Sequence, residues 1–247
     1  MKKLLLTITI MSIGTSLSAQ LYINEIMVQP PNSSSSPKQD NEELIEIRGV
    51  ANSTIADNTY LIQVEGDGNS EPGDIESGGG QGGIIDLSGK TIGSNGTLVI
   101  LTTGHPYTIS SETTVLLDVT DGNLEDPSNN FFLINTNGNS VTDKNGTSRD
   151  APHSNHDLDA DNDGIIDTKF TSAWTFMDGI SIIDNDDSNE YGYAEVIFSK
   201  NPSNSTIYKS GTATLVDTSG QQFRYFARIG NSTGYNAGEV ADADWVG

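Results

Sequence analysis

The sequence predicts an all-β sandwich. Short β-prone runs recur along the chain, each bounded by clusters of Gly, Asn, Asp and Ser. No stretch sustains a helical period for long. The chain also lacks cysteine, so a thiolate metal site, thiol catalysis and haem attachment through cysteine are excluded, and stability must come from packing, helped by bound metal if a site exists.

In chain order the runs place strands at Leu21–Met27, Leu44–Arg48, Tyr60–Glu65, Leu98–Leu101 and Thr114–Asp118. Further strands are expected at Asn130–Ile134, Gly179–Asp184, Tyr193–Phe198, Ala213–Asp217 and Phe223–Ile229. Asp121-Gly122, Asn137-Gly138, Asn145-Gly146 and Ser219-Gly220 mark turns between them. Ala237 to Trp245 is long enough for one helical turn. Three segments break the rhythm. Residues 31–41 carry four consecutive serines and two prolines, and residues 66–83 are rich in glycine and acids and read as a mobile surface loop. Residues 137–172 hold most of the candidate chemistry. No repeat of fixed period is evident.

Before the first strand, Met1-Lys2-Lys3 leads into an apolar run from Leu4 to Ile13 and then Ser16-Leu17-Ser18-Ala19. That order is the one a secretory leader takes, with cleavage expected after Ala19. The run is shorter than the roughly 20 apolar residues a membrane-spanning helix needs. The expected product is one domain, residues 20–247, secreted to the extracellular space or cell surface, with no transmembrane segment. The chain carries a net charge of −22, from 34 acidic and 12 basic residues, and loss of the leader removes two of the lysines. Such an excess disfavours phosphate backbones, so no nucleic-acid partner is expected. It favours cations.

Residues 157–167 read Asp157-Leu158-Asp159-Ala160-Asp161-Asn162-Asp163-Gly164-Ile165-Ile166-Asp167. With Asp159 at position 1, carboxylates fall at positions 1, 3, 5 and 9, glycine at 6 and a backbone carbonyl position at 7 (Ile165). This spacing matches the first nine positions of an EF-hand calcium loop. A hard cation takes six to eight oxygens, and alternate residues of a tight turn converge theirs on one point. The expected ligands are Asp157, Asp159, Asp161, Asp163, Ile165 and Asp167, the expected ion is Ca²⁺, and Ile166 is placed to anchor the loop in a core. Position 12 is Phe170 rather than a bidentate glutamate. The loop therefore resembles the aspartate-rich calcium repeats of thrombospondin type 3, and its affinity is expected at roughly 10⁻⁴ to 10⁻³ M. His153 and His156 precede it at a spacing that also suits a transition metal. The acids of Asp184-Asn185-Asp186-Asp187 read as a polar hairpin turn.

Motifs for catalysis do not assemble. Gly230-Asn231-Ser232-Thr233-Gly234 has the form G-x-S-x-G, but no histidine follows it. On a strand Glu43 and Glu46 point to opposite faces and cannot pair for glycoside hydrolysis. Trp174 and Trp245 are most simply packing residues.

Ile23-Asn24-Glu25-Ile26, followed by a proline-containing loop and Glu43-Leu44-Ile45-Glu46-Ile47, resembles the opening of a lamin-tail domain. Asp86-Leu87-Ser88-Gly89, then Gly93-Ser94-Asn95-Gly96 before Thr97–Leu101, continue the likeness in order. Trp174, Asp178-Gly179 and Ile180–Asp184 are similar to its closing strand pair, and Arg228 to Trp245 to the ending of secreted bacterial relatives. The resemblance implies an immunoglobulin-like β-sandwich with long insertions at 66–83 and 137–172, and a binding or structural role without catalytic residues. The leading expectation is thus a secreted, non-enzymatic, calcium-stabilised module for adhesion or matrix contact with an extracellular protein or polysaccharide. The alternative from another class is a metal-dependent hydrolase of extracellular phosphodiesters or glycans, built on the acids of 137–190.

Overall fold

The computed structural model describes residues 20–28, 42–76, 83–118, 124, 128–220, 225–235 and 243–247. The expected leader (1–19), the serine- and proline-rich loop (31–41) and the Asp121-Gly122 turn lie outside the described residues.

The described chain forms β1 (Tyr22–Met27), β2 (Leu44–Arg48), β3 (Thr59–Glu65), β4 (Ile84–Asp86), β5 (Thr97–Thr102), β6 (Thr114–Asp118), β7 (Asn129–Asn135), β8 (Val141–Thr142) and β9 (Ser148–Arg149). A single helical turn, α1 (Thr168–Thr171), precedes β10 (Thr175–Ile183), β11 (Asn189–Gly192), β12 (Val196–Ser199), β13 (Thr206–Lys209), β14 (Thr214–Asp217), β15 (Tyr225–Arg228) and β16 (Trp245–Val246). Among these residues no helix is long and apolar enough to cross a membrane.

Two six-stranded sheets carry most of the chain, ordered β16-β15-β1-β2-β5-β6 and β14-β12-β10-β7-β3-β4. The sequence pattern explains how each is buried. In β2, Ile45 and Ile47 point inward while Glu46 and Arg48 stay half-exposed, the alternation of a sheet with one covered face. In β7, six of seven residues are buried, so that sheet is covered on both sides. One core lies between the sheets and includes Ile23, Ile45, Ile47, Leu61, Phe131, Ile180, Phe198, Phe226 and Trp245. A second core covers the far face of the β7 sheet with Ile62, Val64, Ile75, Phe132, Leu158, Phe170, Trp174, Tyr191 and Tyr193. Residues 137–172, expected as an insertion breaking the strand rhythm, therefore supply much of a covering layer. The apolar Ile75 likewise pins the 66–76 segment, through an antiparallel bridge to Val64 and an amide bond to the His156 carbonyl (2.9 Å).

The expectation of an all-β chain holds; the immunoglobulin-like sandwich does not. Sheets of that fold are antiparallel, whereas here β10 pairs with β12, β12 with β14, β11 with β13 and β5 with β6, all in parallel. Parallel neighbours need a crossover, not a hairpin. From β10 to β14 the chain crosses by winding: β10, β12 and β14 stack in one wall and β11 and β13 in another. The architecture is a β-solenoid of stacked coils. Ser181 lies beside Ile197, sixteen residues on, Asn189 beside Thr206, seventeen on, and Ile197 beside Leu215, eighteen on. The coil length drifts, and apart from Tyr191 stacked on Tyr208 the paired positions of these coils differ in residue type, which is why the sequence shows no repeat. Trp245–Val246 form an edge strand against β15; the helical turn expected from Ala237 falls mostly on 237–242, outside the described residues.

Candidate metal centres

The aspartate loop is held at both ends before its carboxylates are considered. Asp157 bridges Asp74, and the Leu158 amide donates to the Gly73 carbonyl (2.7 Å). At the far end Ile166 packs against the second core, as its position in the loop predicts, while Ile165 is exposed. Inside the loop Asp159 has no exposure. Its carboxylate accepts the amides of Asp163 (3.1 Å) and Gly164 (2.9 Å), and Asp163 in turn accepts the Ile165 amide (2.9 Å). Asn162 and Gly164 both adopt positive φ, which allows this tight reversal. Gly164 has a second reason to be glycine, because a Cβ there would strike the backbone of Tyr208 and Lys209 in β13.

Asp159, Asp161 and Asp163 bring carboxylate oxygens within 4.8 Å of one another. These three are the expected ligands that the structure gathers. Asp157 is turned to cap the Asp159 amide (3.0 Å), and Asp167 lies 3.5 Å from both the Ala160 amide and the Lys169 ammonium. For Ile165 the backbone amide is the group engaged within the loop. Burial pushes the Asp159 carboxyl up, against the pull of the Gly164 and Asp163 amides and of Tyr193. The Tyr193 hydroxyl is itself buried with no hydrogen bond of good geometry, and burial, with Asp159 nearby, pushes it up as well.

Position 12 explains its own departure from the EF-hand. Phe170 is fully buried and packs edge-on to His156 (5.5 Å) and against Trp174 (5.0 Å). A glutamate there would sit in an aromatic core. The histidines are occupied too: His156 Nε2 lies 3.2 Å from the Val141 carbonyl and its Nδ1 accepts the His153 amide, while His153 Nδ1 accepts the Asn155 amide. Burial pulls the His156 pKa down. Packing and turn hydrogen bonds thus take up both nitrogens of His156 and Nδ1 of His153.

Two more acidic groups assemble that the sequence reading treats as separate loop chemistry: Asp184, Asp186 and Glu190, and Asp67, Asp186 and Asp187. Asp67 and Glu190 belong to distant segments joined by an antiparallel bridge. The acids of 184–187 stand out in the sequence as a cluster, read there as a turn in preference to a second site; what no local signal reveals is Asp67, which only the coil geometry sets against the 184–190 turn.

The fold and these loops define an all-β solenoid carrying clustered carboxylates. Compared with protein-family models, curated proteins and solved structures, the chain finds no match in any of the three.

Proposed function

We propose that the chain is an exported, non-enzymatic binding and structural module, stiffened by Ca²⁺ in the Asp159–Asp167 loop, that contacts an extracellular protein or polysaccharide in adhesion or matrix attachment. The observation that carries this reading is the convergence of Asp159, Asp161 and Asp163 within 4.8 Å around a fully buried carboxylate. Bringing like charges together and desolvating one of them is costly, and a divalent cation offsets both effects. An all-oxygen donor set selects calcium or magnesium over softer metals. Alternate residues of a flexible loop suit the larger coordination sphere of calcium. The remaining oxygens fall to water and loop carbonyls. The leader-like order of Met1 to Ala19, the acidic excess and the ordered motifs resembling a lamin-tail domain support export and a binding role. That resemblance is retained for the role, not for the fold.

Calorimetric titration of calcium into the chelator-treated chain and its Asp161→Ala/Asp163→Ala variant tests the reading. Both side chains are exposed, so the fold survives their loss. The variant is expected to bind fewer calcium ions per chain and to gain less in melting temperature. Equal stoichiometry in the two proteins would overturn the assignment.

A further inference from the structure

The second acidic assembly rests on different elements and a different observation. The turn after β10 supplies Asp184, Asp186 and Asp187, β11 supplies Glu190, and the loop after β3 supplies Asp67. The backbone locks these segments together: the Gly68 amide donates to the Asn189 carbonyl (3.1 Å) and the Tyr191 amide to the Gly66 carbonyl (2.8 Å). Within this frame Asp184, Asp186 and Glu190 place oxygens within 4.8 Å of one another, and so do Asp67, Asp186 and Asp187. Asp186 belongs to both groups and stands exposed between them.

Glu190 is the decisive member. Its side chain has no exposure, its Oε1 accepts a long bond from the Asp187 amide (3.3 Å), the Ser128 side chain is drawn to the carboxylate as a donor, and its Oε2 is buried with no hydrogen bond of good geometry. Buried carboxylate oxygens are normally paired, and an orphan beside further acids is the opposite of what a stable turn selects. The neighbouring donors are shared rather than free: the Ser128 hydroxyl is drawn on by both Glu190 and Asp184 (3.4 Å to the latter), and Asn69 bonds Asp67 and Asp187. Lys200 is the nearby cation, and it faces Asp184.

We propose that Asp67, Asp184, Asp186, Asp187 and Glu190 form a second divalent-cation site, taking Ca²⁺, that clamps the 66–70 loop onto the first turn of the coiled stack. Carboxylates from three segments and no nitrogen ligand suit a large, irregular oxygen shell; Mg²⁺ demands a stricter octahedron and keeps more of its water. The ion sits between Glu190 Oε2 and the exposed Asp186, with Asp184 on one side and Asp67 and Asp187 on the other.

The test uses the Asp161→Ala/Asp163→Ala chain, so that the loop proposed above does not contribute. Calcium titrated calorimetrically into this protein is expected to show residual binding. Adding Asp186→Asn, at an exposed position, weakens it by about tenfold or more. Adding Glu190→Gln instead abolishes the calcium-induced rise in melting temperature while raising the melting temperature of the chelated protein, because one buried charge is gone. A purely structural glutamate would give the reverse, a chelated protein melting lower. Absence of residual calcium binding, or binding unchanged by Asp186→Asn, overturns the site.

Discussion

Arg228 donates to Asp178 across 2.6 Å at a point where neither side chain reaches solvent. The pair joins the two sheets, with Arg228 on β15 and Asp178 on β10. Each partner is also tied to β1, where Arg228 Nε donates to the Ile23 carbonyl (3.0 Å) and the Ile23 amide donates to Asp178 (2.7 Å). The guanidinium lies 4.4 Å from the Trp245 ring and donates to the Gly234 carbonyl (2.8 Å). Burial pushes the Asp178 carboxyl up, and Arg228 with the Ile23 and Gly179 amides pulls it back. The desolvated acid is tolerated because its charge is matched in place.

Replacing only the arginine leaves that acid buried and unpaired. Arg228→Met is therefore expected to lose about 3–5 kcal/mol in urea unfolding. The double variant Asp178→Asn/Arg228→Met is expected to lose less than Arg228→Met alone. If the double variant is the worse of the two, the account of a buried charge left uncompensated is wrong.

Asp143 sets a second, pH-dependent prediction. Its carboxylate accepts Arg149 Nε (2.8 Å) and the amides of Asn145 and Thr147 (2.9 Å each), and these hold its pKa down to about 2, with Arg149 the largest cause. The folded value lies below the ordinary 3.8, so the stabilisation is complete above that pH and is lost as pH falls through about 2. Asp143→Asn should lower the melting temperature at neutral pH and flatten its decline between these limits. A parallel acid limb in variant and parent would contradict the assignment.

Gly164→Ala tests whether the aspartate loop is shaped by its own turn or by what it leans on. The positive φ alone makes alanine cost more than about 1 kcal/mol, and the collision with the β13 backbone adds to it. The expected result is a lower melting temperature with or without calcium. A variant as stable as the parent would mean that the loop stands free of the coil.

Phe170 makes the loop's departure from the EF-hand testable. If position 12 were open to solvent, Phe170→Glu would complete the ligand set and tighten calcium. Because Phe170 fills the second core, the substitution is expected to cost at least about 3 kcal/mol, the usual loss for emptying such a site, with no gain in affinity. Tighter calcium binding in a folded Phe170→Glu protein would refute this placement.

By itself the sequence determined what is local. Leu44–Arg48 and Thr114–Asp118 form strands with the boundaries their residues predict, and the other main runs shift by a few positions at their ends. Positive φ at Asn137, Gly138, Gly146, Ser219 and Gly220 follows from the turn residues there. Trp174 and Trp245 are buried, and the spacing of Asp159, Asp161 and Asp163 brings their carboxylates together. The strands, turns and loop spacing depend on neighbours a few positions away, where side-chain alternation and backbone preference act directly; the burial of the tryptophans follows from their apolar bulk.

The tertiary structure alone decided partners and direction. A short strand bounded by Gly and Asn reads the same whether it turns back as a hairpin or winds on to a parallel neighbour, so the coils were not legible. Asn189–Gly192 and Thr206–Lys209 carry little apolar alternation of their own and become strands by stacking on each other. The pairing of Arg228 with Asp178, the burial of Phe170 at a ligand position and the meeting of Asp67 with Glu190 depend on segments far apart in the chain. Such contacts are set by which faces the winding chain must bury, a global condition that no single window of sequence contains.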